Sequence, residues 1–153
     1  MGVKDVARQQ YQRLVDHAAA HSGLRMPPEG WIRTVRKALG MSGARLGKRM
    51  GLTRARISQA EHGELTGAAT LKSMQAAAEA MGCRFVYAIV PEGRIEDVIA
   101  AQAQKKAAAL VGRASTHMAL EGQNLPNDKI AAEVGRLAVE LAREMPPDFW
   151  SDK

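Results

Sequence analysis

The run Thr53-Arg54-Ala55-Arg56-Ile57-Ser58-Gln59-Ala60-Glu61 concentrates hydrogen-bonding chemistry on the first turns of one predicted helix. Ile57 and Ala60, at a spacing of three, mark its inward side. Arg54, Ala55, Ser58 and Gln59 are left facing outward. An arginine fork matches O6 and N7 of guanine, and a glutamine amide matches N6 and N7 of adenine. Lys48, Arg49 and Arg56 flank that face and suit phosphate oxygens, which position a protein on a duplex without reading its sequence. The chemistry implied is readout of a double-stranded nucleic acid, and not bond making.

The other reactive side chains assemble into nothing comparable. Cys83 is the single cysteine, so no internal disulfide is possible, and its place after a helix-stop glycine suggests a small buried filler. His17, His21, His62 and His117 have no zinc-ligand spacing, and no metal or cofactor is expected. Ser115 and His117 lack an acidic orienter, so the reading is not an enzyme, with no catalytic residues. No apolar run approaches the roughly 20 residues of a membrane span, and the first residues do not resemble a signal peptide. At 153 residues, with 46% hydrophobic and 25% charged residues, the chain reads as a small cytoplasmic protein of one domain with an appended arm. Abundant alanine and 4% aromatics favour helices over sheets.

The net charge of +6 is unevenly spread. From Arg25 to Gly63, nine basic residues oppose only Glu29 and Glu61, whereas residues 92–153 are slightly acidic. A basic stretch of this kind fits a polyanion, because neutralising phosphates releases condensed counterions. A solvated basic face that aids solubility is the alternative.

The elements that must position these groups follow from periodicity and punctuation. Residues 3–21 form an amphipathic helix through Val3, Val6, Ala7, Tyr11, Leu14, Val15 and Ala18. Pro27-Pro28 then enforces an extended linker. A helix follows Gly30, with Trp31 as a core anchor and Gly40 as its stop. Ser42 caps the next helix, stapled by Met41 and Leu46, and Thr53 caps another, stapled by Leu52 and Ile57. Gly51 makes the turn between them, and Gly63 is the expected stop of the second. Further helices are predicted over Thr70 to Gly82, about Ile95 to Arg113, and about Asn127 to Arg143. The eight methionines fall mostly on apolar stripes.

Arg84 to Val90 switches to a period of two and predicts the one strand. A lone strand needs a partner for its backbone groups, and the economical partner is its own copy across a two-fold axis. Phe85, Val86, Tyr87, Ala88, Ile89 and Val90 would then form a homodimer seam. An extended, buried connector is the alternative. In the tail, Leu120, Glu121, Leu137, Leu141, Phe149 and Trp150 are candidate partner contacts. The stripe from Ile130 to Leu141 equally suits the chain's own core or a dimer mate, and Phe149 and Trp150 could instead dock back on the bundle.

Two capped helices joined through Gly51, with a helix on either side, resemble the lambda-repressor-like (Cro/C1, XRE) helix-turn-helix family. The resemblance covers about Ile32 to Met81. It rests on Leu39-Gly40-Met41-Ser42, Leu46-Gly47, Met50-Gly51-Leu52-Thr53, Ile57-Ser58-Gln59-Ala60-Glu61-His62-Gly63 and Leu71. It implies base reading at Arg54, Ala55 and Gln59, a phosphate contact at Thr53, and an ion pair between Arg36 and Glu61. The family usually has a phosphate-clamping Gln one residue after the cap Ser42; here Gly43 offers only its backbone N–H.

Over nearly the whole chain, Pro27-Pro28-Glu29-Gly30-Trp31-Ile32-Arg33, Ala38 to Ser42, Leu71 to Val90, Met118 to Glu121 and Trp150 resemble the family called mobile mystery protein A. That resemblance implies a Fic/Doc-type partner and a toxin–antitoxin module. Many Fic inhibitors carry Ser or Thr four residues before a glutamate; the residue four before Glu121 is His117. The expected architecture is mainly α. It comprises an N-terminal helix over 1–26, a lambda-repressor-like bundle over 27–82, a dimerisation strand over 83–91 and a helical C-terminal extension over 92–153. The expected function is a homodimeric, sequence-specific transcriptional regulator, a repressor on a palindromic operator, autoregulating as an antitoxin. The alternative is an interaction protein that mainly sequesters a Fic-type nucleotidyl transferase, with DNA binding secondary.

Overall fold

The computed structural model describes residues 2–123 and 125–152. Contacts divide the chain into two compact units, one formed by residues 23–88 and the other by 1–22 together with 89–153.

In the first of these, four helices surround one core. The first, Trp31–Ala38, follows Gly30, whose φ of 81° suits glycine. Its first two free N–H groups are taken up from a distance. Glu64 accepts Trp31 N–H through Oε2 and Ile32 N–H through Oε1, the latter at 2.9 Å. A carboxylate there satisfies orphan donors and complements the positive end of the helix. Gly43–Met50 is capped by Ser42, whose Oγ accepts the Arg45 N–H at 3.1 Å. Arg54–Thr66 is capped by Thr53 in the same way, through the Arg56 N–H at 3.2 Å. Leu71–Ala80 starts at a capping box between Thr70 and Ser73. Ile32, Leu46, Ile57, Met74, Ala77 and Met81 are buried together, with Val35, Met50 and Phe85 against them.

Several sequence expectations are corrected here. Gly63 does not end its helix, which runs on to Thr66 and stops at Gly67 with φ 83°. Gly63 lies inside because Ala69 folds back against it, the Ala69 N–H donating to the Gly63 carbonyl at 3.0 Å. Trp31 is not a buried anchor but 38% exposed. Cys83 is exposed and not a buried filler. Its N–H closes the last turn of Leu71–Ala80 on the Ala78 carbonyl at 2.8 Å, a Schellman closure that turns the side chain outward. Among the described residues there is no β-ladder, and residues 84–90 make no backbone hydrogen bond within the chain.

The second unit is built on a helical hairpin. Ile95–Leu120 continues about two turns beyond the expected end near Arg113, and Asn127–Glu144 returns against it. Small residues allow their close packing: Ala103, Ala107 and Ala138 are buried with Leu141 and Phe149. Val3–His17, tightened into a 3-10 turn over Ala18–His21, lies alongside. Asp16 Oδ1 accepts the Ile95 N–H at 3.0 Å, capping the long helix. The apolar side of Val3–His17 stays largely exposed, with Val3, Tyr11 and Leu14 each more than half accessible.

Phe149 is 1% exposed, and its carbonyl accepts from Gln102 Nε2 at 2.8 Å. Lys106 Nζ binds the carbonyl of Asp148 and that of Ser151, clamping the tail further. Trp150 meets the Phe149 ring edge-on at 4.9 Å between centroids, yet stays 56% exposed. Phe149→Ala should therefore cost about 3–5 kcal/mol of stability and lower the urea midpoint. Trp150→Ala should cost about 1 kcal/mol or less, since most of that ring already faces water.

Candidate nucleic-acid interface

For reference, the helix Gly43–Met50 is α3 and the helix Arg54–Thr66 is α4, counting Val3–His17 as α1 and Trp31–Ala38 as α2. The α3–α4 turn is short because Gly51 takes φ 69°, letting the Leu52 N–H reach back to the Gly47 carbonyl at 2.7 Å. Leu46 at 0% and Ile57 at 2% exposure then lock the two helices together. Full burial of each is worth about 2 kcal/mol in transfer free energy. With Ile57 inward, the helical repeat places Ala55 and Gln59 on the opposite side and Arg54 and Ser58 on one flank, and all four are exposed. His62 is exposed on the same stripe, one turn beyond Ser58, and was not singled out from sequence.

A partly buried ion pair ties α4 to α2. Arg36 Nε donates to Glu61 Oε1 at 2.8 Å, with side-chain exposures of 14% and 12%. The same guanidinium donates through Nη1 to the Met41 carbonyl at 3.0 Å, where the chain turns from α2 into α3. One arginine thus ties three consecutive elements.

The cations fall into two groups. Arg33 and Lys37 on α2 are held by Glu29, whose carboxyl is drawn below its usual range chiefly by the hydrogen bond from Lys37. By contrast, Arg45, Lys48, Arg54 and Arg56 are exposed and form no ion pair among the described residues. Arg45 is a group that the sequence reading passed over. It shares an open hollow with Ser42, Ala44, Lys48 and Arg49. Arg49 is placed differently from its neighbours, because its Nε donates to the Ala80 carbonyl at 2.6 Å. That bond satisfies the last turn of the helix Leu71–Ala80 and competes with a phosphate contact.

Gly43 lies beside the reading face. A side chain there would begin 3.8 Å from Arg54 Cγ and 3.9 Å from Ile57 Cγ2. Gly43 lines an open hollow of about 580 Å³ together with Arg33, Ser42, Arg54 and Ser58. Thr53 Oγ1 and Ser42 Oγ are both engaged as helix caps, so their hydroxyls accept from the backbone.

In the tail, the candidate contacts separate by burial. Leu141 is 9% exposed and Phe149 1%, and Leu137 packs against the same core, so these three support the hairpin and are not available to a partner. Leu120, Glu121 and Trp150 remain exposed, with Glu121 Oε1 3.2 Å from His117 Nε2. Among the described residues no group of three His, Cys, Asp or Glu side chains is placed to hold a metal ion. No helix among them is long and apolar enough to cross a membrane.

Removing one partner of the Arg36–Glu61 pair leaves the other partly desolvated and without its counter-charge. Glu61→Ala should lower the stability of the domain by about 3 kcal/mol, measured by urea unfolding. The double replacement Arg36→Met, Glu61→Leu should recover most of that loss.

Residues 32–87 match the helix-turn-helix family HTH_3, a match that spans α2, α3, α4 and the following helix. No curated protein and no solved structure matches the chain. Residues 32–87 are a helix-turn-helix domain of the XRE, lambda-repressor-like kind, a kind that suggests a DNA-binding transcriptional regulator.

Proposed function

We propose that this protein is a sequence-specific DNA-binding repressor, acting in the cytoplasm as a homodimer on a palindromic operator. The observation that carries the reading is that Arg45 and Lys48 on α3 and Arg54 and Arg56 on α4 are exposed and without acidic partners among the described residues. Unpaired cations of this kind are discharged by phosphates, and Arg54 and Gln59 supply the forked donors that distinguish bases. In this reading Arg54, Ala55, Ser58 and Gln59 read the major groove. Ser42, Gly43, Lys48, Thr53 and Arg56 hold the phosphates, and Arg45 joins them. The two recognition helices of a dimer would engage half-sites about 34 Å apart.

Fluorescence anisotropy on DNA from the gene's own upstream region, against a scrambled duplex at two salt concentrations, tests the proposal. A preference of about a thousandfold that survives higher salt supports a specific autoregulator. Equal, steeply salt-sensitive binding to both duplexes defeats it. Arg54→Ala or Gln59→Ala should cost about 1–3 kcal/mol on the operator and relax preference at one position per half-site. Lys48→Ala should weaken binding to every sequence alike and flatten the salt dependence.

The second unit favours a second role, because readout of DNA by α4 has no use for a separately packed helical hairpin. Together with the likeness to mobile mystery protein A, it supports an antitoxin that also restrains a Fic-type nucleotidyl transferase. Leu120 and Trp150, exposed in that unit's tail as Leu125 and Val139 also are, are the apolar side chains that such a partner would cover in this reading. Replacing both by alanine should abolish co-purification with the Fic-type protein while leaving operator binding unchanged. Loss of both together would tie the tail to DNA binding instead.

A further inference from the structure

The homodimer of the preceding section is the starting point, and the residues from Arg84 to Glu92 determine its register. Phe85 packs against the buried cluster of Ile32, Met74 and Met81, and its ring stacks with Tyr87 at 6.0 Å between centroids and 25° between planes. Rings two residues apart on one side are what extended backbone produces. Beyond Phe85 the apolar side chains stand in water: Val86 is 61% exposed, Tyr87 71% and Ile89 90%. The backbone groups of residues 84–90 make no hydrogen bond among the described residues. Arg84 and Glu92 form no ion pair among the described residues.

We infer that this segment pairs antiparallel with the same segment of a second copy, with the two-fold axis at Ala88 and Arg84 opposite the Glu92 of the other copy. Opposed residues of an antiparallel pair lie on the same face, and successive residues alternate faces. A two-fold axis normal to the ribbon must therefore pass between a residue and its own copy. Few positions qualify. An axis at Tyr87 sets Arg84 opposite a valine and leaves Glu92 opposite Gly82. An axis at Ile89 sets Arg84 opposite Arg94, and like charges directly opposed are unfavourable. The axis at Ala88 forms the Arg84–Glu92 pair twice and opposes Val86 with Val90 and Tyr87 with Ile89.

This register also gives the ribbon a use for its exposed side chains. Phe85, Tyr87 and Ile89 of both copies form one continuous apolar row on the face that already meets the core through Phe85. A two-stranded ribbon alone is marginal in water and gains stability by packing on helices. Ala88, with the smallest side chain of the segment, meets its copy on the axis without crowding.

The register is tested on the full chain without DNA. In a Cys83→Ser background, Ala88→Cys should oxidise rapidly to a covalent dimer, and Tyr87→Cys should do so more slowly, because its copy lies diagonally across the ribbon. Cys83 itself would stand about 34 Å from its copy, at roughly 3.4 Å per residue, and should not crosslink. In sedimentation equilibrium, Arg84→Glu should weaken the dimer about tenfold or more, and adding Glu92→Arg should restore it. A chain that stays monomeric at all concentrations overturns pairing altogether. A dimer that crosslinks faster through Tyr87→Cys, or whose affinity ignores both charge reversals, overturns this register while leaving dimeric DNA binding standing.

Discussion

The shared core that holds Leu46 of α3 and Ile57 of α4, both withdrawn from water, is the constraint on which the DNA-facing surface depends. It sets the rotation of α4 about its own axis, and rotation decides which side chains face outward. Gly51 makes that packing possible by turning the chain in a left-handed residue, and Ser42 and Thr53 define where each helix begins. A helix can roll on an apolar surface at small cost, so the Arg36–Glu61 pair adds what packing lacks, a directional tie. Its net contribution to stability is modest by nature, since two charges have been partly desolvated to form it. What it supplies is the angle between α2 and α4.

Electrostatics in the same unit divide structural cations from available ones. Glu29 occupies Arg33 and Lys37, Glu61 occupies Arg36, and the Ala80 carbonyl occupies Arg49. Among the described residues of this unit, Arg45, Lys48, Arg54 and Arg56 on α3 and α4 form no ion pair, and Lys72 and Arg84 lie outside those two helices. Net charge alone does not reveal this, because a basic stretch counts paired and unpaired residues equally. The partition leaves four of the unpaired cations on the two consecutive helices α3 and α4, where charge and hydrogen-bond donors occur together.

Much of the domain was legible from residues in order. Caps, staples and Gly51 are local signals whose physics spans four or five residues, so α3 and α4 and the outward set Arg54, Ala55, Ser58 and Gln59 could be read directly. The misreadings concern residues whose role depends on something distant. Gly63 carries the same letter as a helix stop, but Ala69 folds back on it. Phe149 sits near a chain end, yet it fills the space beside Ala103 and Ala107. Glu64 gave no sign that it would cap a helix beginning more than thirty residues earlier.

The sequence by itself determined the helical character, the positions of the DNA-domain caps and turns, and the chemistry available on α4. Each of these rests on backbone propensities and short-range hydrogen bonds that act before the chain is folded. Only the tertiary structure decided which cations remain unpaired, that Arg49 closes a helix, and that Leu137, Leu141 and Phe149 are core while Leu120 and Trp150 are surface. Burial and ion pairing join residues far apart in the chain. Alanine-rich stripes of similar pattern can face a core, a copy or water until the packing of the whole chooses among them.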